Sequence, residues 1–520
     1  MPTDFDVIVI GSGFGGAICG ARLAEAGYRV LILERGRRWA VKDYPRAPTD
    51  DWTWDHDHPE TKHGWFDFRV FPHMTVAAGA GVGGGSLVYA NISVEAKPDT
   101  FDHGWPAQIT YNVLQPHYAR VAETMNVGKV PVAQWPARTK LLKEAAEALG
   151  YGDRFRPLEL AVTFDDHWTY DQPDPHNPQK SKQLVNAQGQ TQGTCVHLGD
   201  CDIGCEVSAR NTLDLNYIPI AEQHGAVVKP LHIVRMISPI DGGYRVDYSE
   251  IVSNTLAPGI VTGRLVVVAA GSLGSTELLL QCRDVHVTLP NLSGRLGQNW
   301  SSNGDFLTPA VHLGRQVDPT RGPTITAAVD LLDGAYKDQR VFIEDGGLPN
   351  IADGALRREA AQEGSDDHTR ALIATLRLIV ANALPNIMPW FAQSRDAGNG
   401  VMTIKEGKLF LDWNSAASKP TIDAVVALHQ QMALRTGGLP LTPITWTACG
   451  DLITPHPLGG CNMGSSAADG VVDHKGEAFG YRNLFVADGA IVPTPLGLNP
   501  SRTIGALAER IASIIVAEQR

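Results

Sequence analysis

At 520 residues the chain is too long for one ordinary core and predicts two domains or one large interleaved body. Hydrophobic residues at 43% and charged residues at 19% lie near globular averages and argue against a disordered chain. The net charge of −12, without any basic run, argues against a nucleic-acid partner, which would demand clustered cations. Seven cysteines, an odd number, fit a reduced compartment better than a disulfide framework.

A strand begins at once over Phe5–Ile10, with no charged leader ahead of an apolar segment. This start predicts a cytoplasmic protein, although a secreted form trimmed to Met1 would read the same. Gly11-Ser12-Gly13-Phe14-Gly15-Gly16 follows that strand and opens a helix running to about Ala26, where Gly27 stands as the cap. Gly11 permits the tight turn, Gly13 lets backbone approach a pyrophosphate, and Gly16 permits close helix packing while amide groups meet the anion. Glu34, 18 residues after Gly16 at the end of the second strand, is placed to accept both hydroxyls of an adenosine ribose. The unit predicts a dinucleotide but does not separate FAD from NAD.

The second glycine run makes that separation. Gly79 to Gly85 holds five glycines in seven residues, followed by Ser86, Leu87, Val88 and Tyr89. So little side chain suits backbone laid against a flat ring or a pyrophosphate, with Gly81, Gly83, Gly84, Gly85 and Ser86 as the contacts. Cys195, Cys201 and Cys205, with His197, lack the spacing of a zinc or iron–sulfur site and predict a structural segment beside a cofactor, with no metal. His56 and His58 read as part of a surface loop.

Residues 265–282 repeat the grammar of buried strand, small-residue turn and helix, with Ala270 and Gly271 at the turn. Further on, the β-prone stretches Val341–Glu344 and Lys408–Trp413 predict a sheet in the inserted regions. The apolar stretch Leu372–Phe391 is broken by Arg377, Asn382, Pro385, Asn386 and Pro389. It is a poor membrane span and predicts a packed helix or an apolar lid, without integral membrane association. Asn483–Gly489 is a third strand and turn, and the closing helix shows one apolar face through Ile504, Leu507, Ala508, Ile511, Ile514 and Ile515.

Three separated strand-turn elements predict an α/β fold, α+β overall. A Rossmann-like nucleotide domain would be assembled from residues 1–98, 195–300 and 448–520. Residues 99–194 and 301–447 would then build a substrate domain around an antiparallel or mixed sheet.

Taken together, the opening unit, the Gly79–Ser86 run, Ala270–Glu277, His456-Pro457-Leu458-Gly459-Gly460, Asp488-Gly489 and Asn499-Pro500 resemble the glucose-methanol-choline oxidoreductases over nearly the whole chain. Within that family the likeness is to bacterial cholesterol oxidases that hold FAD non-covalently. The resemblance implies FAD, with Ala270, Gly271, Asp488, Gly489, Asn499 and Pro500 joining the cofactor contacts. It also implies hydride transfer from an alcohol carbon to the flavin, with His456 handling the hydroxyl proton and Asn499 binding the substrate oxygen. Glu344 resembles the catalytic carboxylate of cholesterol oxidases, set between apolar neighbours that would raise its pKa. The adjoining Asp345 departs from what an apolar sterol pocket requires. The implied substrate is a bulky apolar secondary alcohol such as a 3-hydroxysteroid, with double-bond isomerisation, and electrons passing to O2. A sugar, polyol or aromatic alcohol and a non-oxygen acceptor form the alternative.

Overall fold

The computed structural model describes residues 3–47, 49–349, 384–443 and 445–518. Unbroken runs of Val, Ile and Leu at Val7–Ile10 of the strand Phe5–Ile10 and at Val30–Leu33 are buried on both faces, as a parallel sheet requires. They lie at the centre of a seven-stranded sheet. Its order runs Val227–Lys229, Val30–Leu33, Phe5–Ile10, Thr255–Val268, Gly243–Val252 and His232–Ile240, and Leu484–Val486 pairs with Thr255–Val268. The register is parallel on both sides of the long strand, with Ile8 beside Val266 and Phe485 beside Val267. The three strand-turn elements separated in sequence therefore end at one edge, where ligands bind in open α/β sheets.

A second sheet of six antiparallel strands carries the inserted residues. Phe306–Val311, Ile387–Ser394 and Gln339–Glu344 are adjacent in it, with Phe391 opposite both Leu307 and Glu344. Alternation sends Met388, Trp390 and Ala392 to one face, where they are buried with Ile422, Val425, Leu428 and Met432 of the helix Ser415–Arg435. The opposite face carries Glu344, Phe391 and Gln393, and it turns toward the nucleotide-binding sheet.

Residues 372–383 of the apolar stretch lie outside the described residues, and its remainder is a short 3-10 turn, Leu384–Asn386, running into a strand. Ile387–Ser394 is a central strand, because bulky residues at every second position suit a sheet buried on one face. Lys408–Asp412 does form a strand, but it pairs only with Val401–Lys405 in a separate hairpin against the helix Gly271–Leu280. The helix Tyr111–Thr124 falls in the range expected to build the substrate unit, yet it packs on the closing helix Ser501–Glu518. The closing helix also packs on Phe14–Glu25, and its buried Glu509 accepts from Arg22 at 2.9 Å and Tyr217 at 2.8 Å. Among the described residues no helix is long and apolar enough to cross a membrane.

Candidate active site

The first glycine turn is shaped by contacts that leave no room for side chains. A Cβ on Gly11, at φ +95°, would collide with the carbonyl of Ala269; one on Gly15 would strike the carbonyl of Ala487, and one on Gly16 that of Gly11. The opening helix is thus pressed against the ends of two other strands. Gly13 caps this helix, and Phe14, its first residue, meets Tyr89 edge to face at 5.6 Å. Glu34 is buried at the strand end and accepts from the Ser12 amide at 3.0 Å, the Ser12 hydroxyl at 2.7 Å and the Gly36 amide at 2.9 Å. Ser12 Oγ in turn accepts from the amide of Gly83 at 3.1 Å. One short side chain therefore ties both glycine runs to the expected ribose acceptor.

The two runs touch directly. Gly84 takes φ +51°, and a Cβ there would stand 2.6 Å from Cα of Gly13. Gly81 is enclosed by Trp39 and Leu87, whereas Gly85 is exposed with nothing within 4 Å of where its Cβ would be. Buried Arg210 holds the far side of the run, donating to Ser86 O at 2.6 Å, Leu87 O at 2.9 Å and Asn91 Oδ1 at 2.8 Å. Those bonds fix the C-terminal end of the run, while its own amides close tight turns, Gly84 N donating to Gly81 O at 2.8 Å and Ser86 N to Gly83 O at 3.2 Å.

Two expected cofactor contacts turn their side chains inward. The Ser86 hydroxyl donates to Gly83 O at 2.7 Å and accepts from Leu213 N at 3.0 Å. Asp488 accepts from Gly271 N at 2.8 Å, Ser275 Oγ at 2.5 Å and Ala490 N at 2.8 Å, bracing the third and second strand-turn elements together. Burial raises the proton affinity of Asp488, and those donors counter it. What these residues can offer a cofactor is backbone. Ala270 and Gly271 are exposed beside that brace, Gly271 at φ +83° with open space about it, and buried Gly489 follows.

Buried Asn499 and Pro500 stand immediately ahead of the closing helix, and Asn499 Oδ1 has no hydrogen-bond partner among the described residues. His456 lies on the facing loop, which Gly459 N fastens to Gly489 O at 2.9 Å. Its Nδ1 stands 2.9 and 3.1 Å from the two carboxylate oxygens of Asp305 and 3.3 Å from Gln393 Nε2. Its backbone amide donates to Thr454 Oγ1 at 2.9 Å, and Thr454 donates to Asp305 at 2.5 Å. The Phe391 ring lies beside the imidazole, centroids 6.5 Å apart.

Glu344 joins this group from the second sheet. It is fully buried, and neither carboxyl oxygen makes a well-formed hydrogen bond to a described residue. Burial first, then the charges of Asp345 and Asp305, push its pKa well above the ordinary value; the nearby Asn499 side chain pulls the other way. Asp345 turns elsewhere. Its carboxylate accepts from Thr326 N at 2.7 Å, Ala327 N at 2.9 Å and Thr139 Oγ1 at 2.7 Å, so the departure noted in sequence is a structural knot outside the pocket.

The structure therefore brings His456, Asn499 and Glu344 together and adds Asp305, Asn303 and Gln393. Asn303 accepts from Leu496 N at 3.0 Å and Gly497 N at 2.8 Å and donates to Leu498 O at 2.9 Å, which holds the loop that presents Asn499. The thiols of Cys201 and Cys205 lie near Arg210, which grips the second glycine run. His197 stacks on Trp168 at 4.1 Å, and burial lowers its pKa to about 3.

These residues fit FAD. A carboxylate closes the strand, the opening helix presents its N-terminus at Gly13, and open backbone at Gly85 and Gly271 leaves space that a Cβ would fill. A model described as NAD(P)-binding Rossmann-like domain matches residues 9–65, and one described as GMC oxidoreductase matches residues 445–508. The cholesterol oxidase of Acinetobacter baumannii is 31% identical over 551 aligned residues, covering 99% of this chain and 95% of that protein. The cholesterol oxidase of Mycobacterium tuberculosis (strain ATCC 25618 / H37Rv) is 30% identical, covering 99% and 91%. Among solved structures, pyridoxine 4-oxidase from Mesorbium loti superposes with a TM-score of 0.62 at 15% identity, covering 98% of each chain, a likeness of fold. Sequence kinship over the full length and a matching fold, joined to the geometry above, place the chain in the GMC oxidoreductase family as an FAD-dependent alcohol oxidoreductase.

Proposed function

We propose that the substrate is a bulky, mostly apolar secondary alcohol of the 3-hydroxysteroid class, oxidised to the ketone with electrons passing to O2, and that Glu344 then shifts a ring double bond into conjugation. FAD, when bound, supplies the two-electron acceptor for the hydride. His456 takes the hydroxyl proton, and the Asn499 amide holds the alcohol oxygen while the closing helix presents its N-terminus to the site. Gly11, Gly13, Gly16 and Gly83–Gly85 hold the pyrophosphate side, and Glu34 the ribose.

The observation that carries the reading is the state of Glu344. A sugar-binding pocket would be expected to satisfy a carboxylate with donors, whereas Glu344, flanked in the sheet by Ala328 and Phe391, is fully buried and its oxygens lack well-formed hydrogen bonds. A carboxyl with raised proton affinity is a strong base when ionised and returns the proton readily, which is what moving a proton between two carbons requires. The full-length likeness to two cholesterol oxidases supports the same class.

Product analysis tests this. With a 5-ene-3-hydroxysteroid the wild type is expected to release the conjugated 4-en-3-one, followed by its ultraviolet absorbance, and Glu344→Gln to release the unconjugated 5-en-3-one. No turnover of any sterol, together with rapid flavin reduction by a sugar or small primary alcohol, would overturn the substrate class.

A further inference from the structure

We propose that Asp305 is a positioning residue that fixes the Nδ1–H tautomer of His456, so that Nε2 is the only ring nitrogen able to receive the substrate proton. This rests on the reading of His456 as the proton acceptor.

Nδ1 faces both oxygens of one carboxylate, at 2.9 and 3.1 Å. An unprotonated Nδ1 would set its lone pair against that negative charge, in a place where Asp305 is only 1% exposed and water cannot intervene. Nδ1 therefore donates. Gln393 Nε2 stands farther off, at 3.3 Å, and its Oε1 has no partner among the described residues. Nδ1 cannot donate to Asp305 and accept from this amide together, and the closer, charged partner decides. With the amide turned end for end, Gln393 would offer its carbonyl to the same N–H, satisfying both groups.

The carboxylate is itself held in place. Thr454 accepts from the His456 backbone at 2.9 Å and donates to Asp305 at 2.5 Å, closing a ring through His456, Thr454 and Asp305. Nε2 has no partner among the described residues and the side chain is 19% exposed, so the free nitrogen faces the open part of the site. On turnover the substrate O–H bond breaks and the proton joins Nε2, and FAD, when bound, would supply the acceptor for the hydride released from the carbinol carbon. The alcohol would thereby become a carbonyl, its two electrons leaving with the hydride. The imidazolium so formed lies against Asp305, which balances its charge without solvent. The same negative charge raises the proton affinity of Glu344, so the two buried carboxyls serve different steps.

The test uses holoenzyme labelled with 15N-histidine, with His456→Gln to identify the His456 signals by their loss. The wild type is expected to show the proton on Nδ1 of His456. In Asp305→Asn the side-chain amide would donate to Nδ1, moving the ring proton to Nε2; FAD content should stay near full, and anaerobic flavin reduction should slow by roughly 10²–10⁴-fold. A wild-type spectrum with the proton on Nε2 would overturn the proposal without any variant, so failure of Asp305→Asn to fold leaves it testable. Asp305→Asn reducing at the wild-type rate, or slowly with the tautomer unchanged, would overturn it as well. Flavin reduction by His456→Gln at the wild-type rate would instead refute His456 as the acceptor, whatever the tautomer.

Discussion

A carboxyl sealed from water, with the Asn499 side chain as a weak counterweight and no well-formed hydrogen bond, is unstable as an anion, and Glu344 is in that position. The sign of its effect on stability follows. Above the ordinary glutamate pKa of 4.5 the unfolded chain releases this proton while the folded chain keeps it, so stability falls as pH rises from there toward the raised value. Glu344→Gln removes the titration and its neutral amide is close in size. Its thermal midpoint relative to wild type should therefore increase as pH rises from 4.5 toward the raised value; a difference independent of pH would show that the carboxyl titrates normally. For His456→Ala, losing a positioned proton acceptor should slow flavin reduction by about 10²-fold or more with FAD content unchanged, read by anaerobic stopped flow. Asn499→Ala should slow the same step. At this scale the sequence exposes His456, Asn499 and Glu344 because each sits in a local pattern. Asp305 does not, since it meets His456 from 151 residues away across a sheet register that composition and periodicity leave open.

The glycine runs, as elements, combine two requirements that the sequence presents as one. Some glycines are demanded by the protein, others by what the protein holds. Gly84 belongs to the first kind, with φ +51° and Gly13 against it, so Gly84→Ala should lower folding stability by about 1–3 kcal/mol and cost cofactor as well. Gly85 belongs to the second. An added methyl there meets nothing in the protein, so Gly85→Ala should leave the melting of apoprotein unchanged and weaken FAD retention, measured by flavin fluorescence after dialysis. Equal retention in Gly85→Ala and wild type would place the isoalloxazine or pyrophosphate elsewhere. Density of glycine made the loop legible, but the sorting needed Ser12, Gly13 and Arg210. Arg210 is 124 residues from the carbonyl of Ser86 that it grips, and no spacing rule links them. Lys408–Asp412 shows the converse failure, since strand propensity foretold a strand but not which sheet it would join.

At the scale of the whole molecule, the chain returns to the same edge of the seven-stranded sheet from three separate segments, and the second sheet closes over that edge with Asp305, Gln393, Phe391 and Glu344. The nucleotide half was readable because each of its strands carries a local turn signature; the pairing of the second sheet depends on partners far apart in sequence. No His or Cys lies in Gly79–Ser86 or in Tyr89-Ala90-Asn91, so the flavin should be held without a covalent bond, and acid precipitation should leave the yellow colour in solution. Colour retained in the pellet would refute this. The proposed mechanism has an alcohol reduce the cofactor directly through the His456 and Asn499 site. Its most direct test is the anaerobic absorbance of the holoenzyme mixed with a 5-ene-3-hydroxysteroid, without any nicotinamide nucleotide. Bleaching of the oxidised flavin band in the wild type, slowed by about 10²-fold in His456→Ala, is the predicted result. A flavin that stays oxidised with that steroid and every other alcohol, and bleaches only when NADPH is added, would contradict it.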